Sequence, residues 1–209
     1  DLLTITVTWD EAVVTSDGTL TLDNGDTASY SSGSGSTAIV FTTTVAEDDT
    51  DSSDLSVSSY GGTIADSAGG AAGAASGDLG AVIIDGDTPD ITAFAATDGD
   101  YGVGDVLSIT ATFDQAVDVS GTPTLTLSNS DTASYASGTG TANLVFSTVV
   151  ASGDTASSDL SVSSISANGG SIQDAADNDF STSLGSLGDL GSVTVDVSSP
   201  GMTITSDTV

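Results

Sequence analysis

Apolar and polar residues alternate along most of this chain. Between 105 and 113, Leu107, Ile109, Ala111 and Phe113 fall on one face, with Ser108, Thr110 and Thr112 on the other. A period of two is the mark of a half-buried strand. The same rhythm predicts a strand over 90–96, with Ile91 and Phe94 directed to a core. Further strands are centred on Leu125 and Leu127, Ala133 and Tyr135, Leu144 and Phe146, Leu160 and Val162, and Val193 and Val195. Turn sequences such as DNGD and SNSD separate the runs, and no segment carries the caps and 3.6-residue period of a helix. Short alternating strands with turns between them predict an all-β, antiparallel, seven-stranded sandwich.

The pattern occurs twice. DLLTITVTWDEAV at 1–13 returns as DVLSITATFDQAV at 105–117, and GDTASYSSGSGSTAIVF returns as SDTASYASGTGTANLVF. The offset grows from 104 (Leu3 to Leu107) to 111 (Val82 to Val193), so small loop insertions separate two copies of one unit. The inward positions of the first copy are Leu3, Ile5, Val7, Trp9, Leu20, Leu22, Tyr30, Ile39, Phe41, Leu55, Val57, Val82 and Ile84. Pro89 aligns with Pro200, which divides the chain into 1–88, 89–199 and 200–209. The first copy lacks the strand that PDITAFAATDGDYGVG supplies to the second, and PGMTITSDTV reads as the start of a further unit.

Composition narrows the function. There are 30 acidic residues and no Lys, Arg or His, for a formal charge of −30. A chain without cations has no means of neutralising phosphates, which excludes nucleic acid as a partner, and anionic membranes repel it. Without His, Cys or Lys the usual general bases and nucleophiles are missing, so the chain is read as a non-enzyme. No apolar run reaches the roughly 20 residues of a spanning helix, so no membrane insertion is expected. With no cysteine to staple it, cores and ions must hold the fold. Solution cations must screen the carboxylates, and calcium suits all-oxygen ligands best.

The aspartates collect in two places. The linker carries Asp85 and Asp87, and the sandwich topology brings Asp114, after the second strand, and Asp174 and Asp177, from the loop before the last, to the same end. A second group is the loop TDGDYGVGD, with Asp98, Asp100 and Asp105, near Asp196 at the end of the last strand. Paired D-x-D spacing beside glycines lets two carboxylates face one point. The loop is not an EF-hand, because no Glu stands at its twelfth position. Calcium ions at these nine residues would stiffen the junction.

TATFDQAV, GTPTLTL, DTASYASGTGTANLVFSTVVASGD, LSVSSISANGGSIQDAADN and VDVSSP together resemble a bacterial immunoglobulin-like tandem repeat. The repeat occurs in large secreted adhesins and extracellular matrix or filament proteins of Gram-negative bacteria and cyanobacteria. The resemblance implies tandem immunoglobulin-like sandwiches, secreted to a cell surface, filament or biofilm matrix, serving as stalk modules in cell adhesion and rigidified by calcium between domains. DSAGG at 66–70 and DAADN at 174–178 depart from the DAAGN usual in the family, and VDVSSPG is poorer in acid than IDGDTPD.

The partner expected is the chain itself, end to end. Either it is an excerpt of a longer array, or strand 200–209 enters repeat 1 of the next unit, with Met202 and Ile204 taking the places of Ile91 and its neighbours. The alternative function is an adhesive module that recognises glycans or a surface through exposed loops such as SGTGTA or 167–190.

Overall fold

A computed structural model describes residues 1–209 apart from 48, 72, 74, 75, 182, 183, 200, 202, 204 and 206–209. All of its regular elements are strands. The chain forms two compact units, Asp1–Asp87 and Thr88–Val209, each built on a curled, largely antiparallel sheet.

The first unit holds β1 (Leu2–Val14), β2 (Thr19–Leu22), β3 (Thr27–Ser32), β4 (Ser36–Thr44), β5 (Ser56–Gly61), β6 (Ala65–Asp66) and β7 (Gly77–Asp78). Their order is β6-β1-β4-β3-β2-β5-β7. The second holds β8 (Ile91–Ala96), β9 (Gly99–Gly102), β10 (Val106–Ser120), β11 (Thr124–Leu127) and β12 (Thr132–Ser137). It continues with β13 (Thr141–Val149), β14 (Val162–Ser166), β15 (Ser171–Gln173) and β16 (Val193–Asp196). Its order is β15-β10-β13-β12-β11-β14, with β8 also paired to β10. From β1 to β6 the first sheet therefore repeats the sequence of the second from β10 to β15.

Alternation explains the core. Along β10 every second residue from Leu107 to Phe113 is buried, and Leu125, Leu127, Leu144, Phe146, Leu160, Val193 and Val195 close over them. Ile5, Leu20, Leu22, Ile39, Phe41, Leu55, Val57 and Ile84 do the same in the first unit. Tyr135 and Tyr30 are half-buried, and Tyr135 meets Phe146 edge to face at 6.0 Å.

The structure corrects several sequence expectations. The stretch 98–105, expected as a loop, contains β9, which pairs with β16 in parallel, so pairing is not antiparallel throughout. Asp114 lies within β10, not after it, at the register shift between Thr112 and Val117. The expected loop 167–190 contains β15 and sends Phe180 back onto Phe113 at 5.2 Å. The SGTGTA segment makes the β12–β13 turn. Gly138 has φ +117°, and a Cβ there would lie 2.1 Å from the Asn143 carbonyl oxygen. Gly33 repeats this geometry in the first unit, so the shared glycine meets a backbone requirement.

Candidate cation-binding carboxylates

With no basic side chain in the sequence, the hydrogen-bonded carboxylates find their partners among backbone N–H groups, hydroxyls and amides. Asp85 Oδ1 accepts the Asp87 N–H at 3.2 Å, the i to i+2 turn typical of aspartate. Gly86 between them is buried and donates to Asp51 Oδ1 at 3.0 Å. A Cβ at Gly86 would lie 2.6 Å from the Ala46 carbonyl oxygen, so the linker is seated on the 46–51 turn. At the end of β16, Asp196 makes the turn equivalent to that of Asp85. It accepts the Ser198 hydroxyl at 2.6 Å and the Ser198 N–H at 2.8 Å, and these bonds hold its carboxyl below the usual range.

The residues of 98–105 divide their work. Asp98 Oδ1 accepts the Ser192 N–H at 2.9 Å, Asp100 accepts the Thr194 hydroxyl, and Asp105 Oδ2 accepts the Gly102 N–H at 2.9 Å. Asp98 and Asp100 thus tie β9 to β16, while Asp105 closes the turn into β10. The register sets Gly102 opposite Asp196, so this acidic stretch and the end of the last strand are neighbours, as expected.

Asp114 Oδ1 accepts the Asp90 N–H at 3.0 Å, and its own N–H donates to the Asp90 carbonyl at 3.0 Å, clamping the start of β8. Asp174 is buried, 3% exposed, and both of its oxygens are engaged. Oδ1 accepts the N–H groups of Ala176 (2.8 Å) and Asn178 (2.9 Å). Oδ2 accepts the amides of Asn178 (3.0 Å) and Gln115 (3.4 Å). These bonds make Asp174 the organiser of the DAADN turn, a role that sequence reasoning missed. Asp177 in the same turn has φ +67°, where the first unit places Gly69 at +88°. Asp66, the counterpart of Asp174, accepts from Ala68 (2.7 Å) and Gly70 (2.9 Å).

Among the described residues, no three carboxylates converge closely enough to hold a metal ion. Among the described residues, the hydrogen bonds above engage one oxygen each of Asp98, Asp105, Asp114 and Asp196. Met202 and Ile204 lie outside the described residues. No protein-family model, curated protein or solved structure matches this chain.

Proposed function

We propose that the chain is a structural stalk or filament module of a bacterial extracellular surface protein. In this reading its units are tandem immunoglobulin-like sandwiches, continued end to end and stiffened by calcium at the acidic linker. The observation that carries the proposal is the repeated sheet order of two units with separate cores. Repeated bodies on a short linker are the construction of a spacer. The cation part rests on the charge of −30 and on linker residues whose oxygens are the only available ligands.

Calcium that binds the aligned state better than the bent one shifts the population towards a rod. Small-angle scattering in millimolar calcium and in chelator tests this. The maximum dimension should be longer and its distribution narrower with calcium. Superimposable profiles would remove calcium from the proposal.

A further inference from the structure

Two of the five asparagines in the chain, Asn24 and Asn168, are followed by glycine. Glycine has no Cβ to shield its backbone nitrogen, so in such a pair that nitrogen can reach the side-chain amide carbon of the asparagine. The two pairs are alike in sequence and differently held.

Asn24 stands half-buried in the β2–β3 turn, and the groups that such a reaction would use are engaged. Its Nδ2 donates to Asp26 Oδ2 at 3.1 Å and to the Thr50 carbonyl at 3.2 Å, and its Oδ1 accepts the Asp26 N–H at 3.1 Å. The Gly25 N–H donates to the Leu22 carbonyl at 3.2 Å. In the second unit the same turn reads Asn129-Ser130. It keeps the bond to the Thr155 carbonyl, at 3.1 Å, and has no glycine after the asparagine.

Asn168 belongs to an insertion. SSYGG at 58–62 returns as SSISANGG at 163–170, so residues 166–168 have no counterpart in the first unit. Asn168 and Gly169 are both exposed and form the turn that joins β14 to β15. Their φ angles are +52° and +81°, and the Gly170 N–H donates to the Ala167 carbonyl at 2.9 Å, the pattern of a type I′ turn. The Asn168 side chain makes one bond, from Nδ2 to the Thr122 carbonyl at 3.3 Å. Among the described residues, neither Asn168 Oδ1 nor the Gly169 N–H has a partner.

We propose that Asn168-Gly169 is a site of self-modification, at which the folded chain converts its own asparagine to aspartate and isoaspartate. The Gly169 nitrogen attacks Asn168 Cγ. An N–Cγ bond forms, the Cγ–Nδ2 bond breaks, and the glycine amide proton leaves with the Nδ2 group as ammonia. The product is a five-membered succinimide. Water then opens the ring at one of its two carbonyls. Opening at Cγ leaves aspartate, and opening at the backbone carbonyl leaves isoaspartate, with the main chain routed through Cβ and Cγ. Water is the only co-reactant. The step needs the turn to leave its resting conformation, which an exposed turn tied by one side-chain bond does more readily than the clamped turn at Asn24. The inference is independent of the stalk reading and of calcium.

The isoaspartate form has a structural consequence. A Cβ at Gly170 would lie 2.0 Å from the Ser120 carbonyl oxygen, and one at Gly121 would lie 3.0 Å from Gly170 Cα, so the turn sits directly on the backbone of 120–121. An added main-chain methylene has no slack to enter there. The element it reaches first is β15, three residues that pair only with Asp118–Ser120 of β10.

The test ages the full chain in mildly alkaline buffer, folded and, in parallel, unfolded in urea. Mass spectrometry of chymotryptic peptides, with electron-transfer fragmentation to tell isoaspartate from aspartate, follows both sites. In urea the two Asn-Gly pairs should convert at comparable rates, and in the folded chain Asn168 should convert several times faster than Asn24. Folded rates that are equal, or faster at Asn24, overturn the proposal, as does a folded chain in which Asn168 stays intact while the urea sample converts. Amide hydrogen exchange gives the second readout. It should be faster at 171–173 in the aged chain than in the fresh one, unchanged at 141–149, and unchanged throughout in aged Asn168→Gln. Loosening of 171–173 that also appears in aged Asn168→Gln would overturn the link to this site.

Discussion

A carboxylate in this chain never meets a basic side chain, so its local stabilisation comes from hydrogen-bond donors. Asp66 is the clearest case: the Gly70 N–H, followed by that of Ala68, holds its carboxyl below the usual range. Asp23 is held down in the same way by the Ser56 N–H and hydroxyl. A carboxyl lowered on folding contributes stability above its unfolded pKa of about 4 and loses it as pH falls through the folded value. Asp66→Ala should therefore melt below wild type at pH 7, and the difference should narrow as pH drops from about 4 towards 2. Thermal circular dichroism at both ends of that range checks the sign. A difference that is unchanged or wider in acid would show that packing, not charge, sets the role of Asp66.

At the scale of the element, β8 is a wedge. It is six residues long with burial at Ile91 and Phe94 only, the uneven spacing following from the register shift against Thr112 and Phe113 of β10. Phe94 is 7% exposed and lies over the small side chain of Ala111. Phe94→Ala should lower the stability of the second unit by about 3 kcal/mol, the usual scale for removing a buried ring. Ala93→Ser, on the exposed face of the same strand, should stay within about 0.5 kcal/mol. Calorimetry of the full chain separates the two outcomes. Equal effects would mean that β8 is held by its backbone alone.

The elements divide into those that local pattern reveals and those that it hides. β10 and β13 were legible because their alternation runs over many residues and each inward position is apolar. β9 was not, because GDYG has no alternation of its own. Its place is decided by Asp98 and Asp100, which bond to residues 94 positions away. Asp114 was read as a loop residue because a charge after Phe113 looks like a strand end, yet β10 runs on to Ser120 and alternation alone turns Asp114 outward in mid-strand. Asp174 shows the limit for sites. An aspartate that caps a turn and one that awaits a cation share the same neighbours in sequence, and only its burial and four donors separate them. Phe180 was hidden because it stands alone in a polar stretch.

For the whole molecule the governing quantity is the charge of −30 on 209 residues. Self-repulsion opposes the compact state, and monovalent salt relieves it by shortening the Debye length to about 10 Å at 0.1 M. Screening depends on ionic strength, whereas site binding depends on the identity of the ion. At matched ionic strength, screening alone gives sodium and calcium similar melting temperatures at low millimolar calcium. Binding to the folded state adds a term that grows with calcium concentration over its dissociation constant. Extracellular calcium modules bind at about 10⁻⁴–10⁻³ M, so the expected outcome is an extra rise in melting temperature over that range, at constant ionic strength. Magnesium should reproduce less of it, because calcium accepts variable oxygen coordination whereas magnesium demands a near-ideal octahedron. Overlapping curves for all three ions would assign the acidic surface to screening alone. The repeated fold would then stand without calcium.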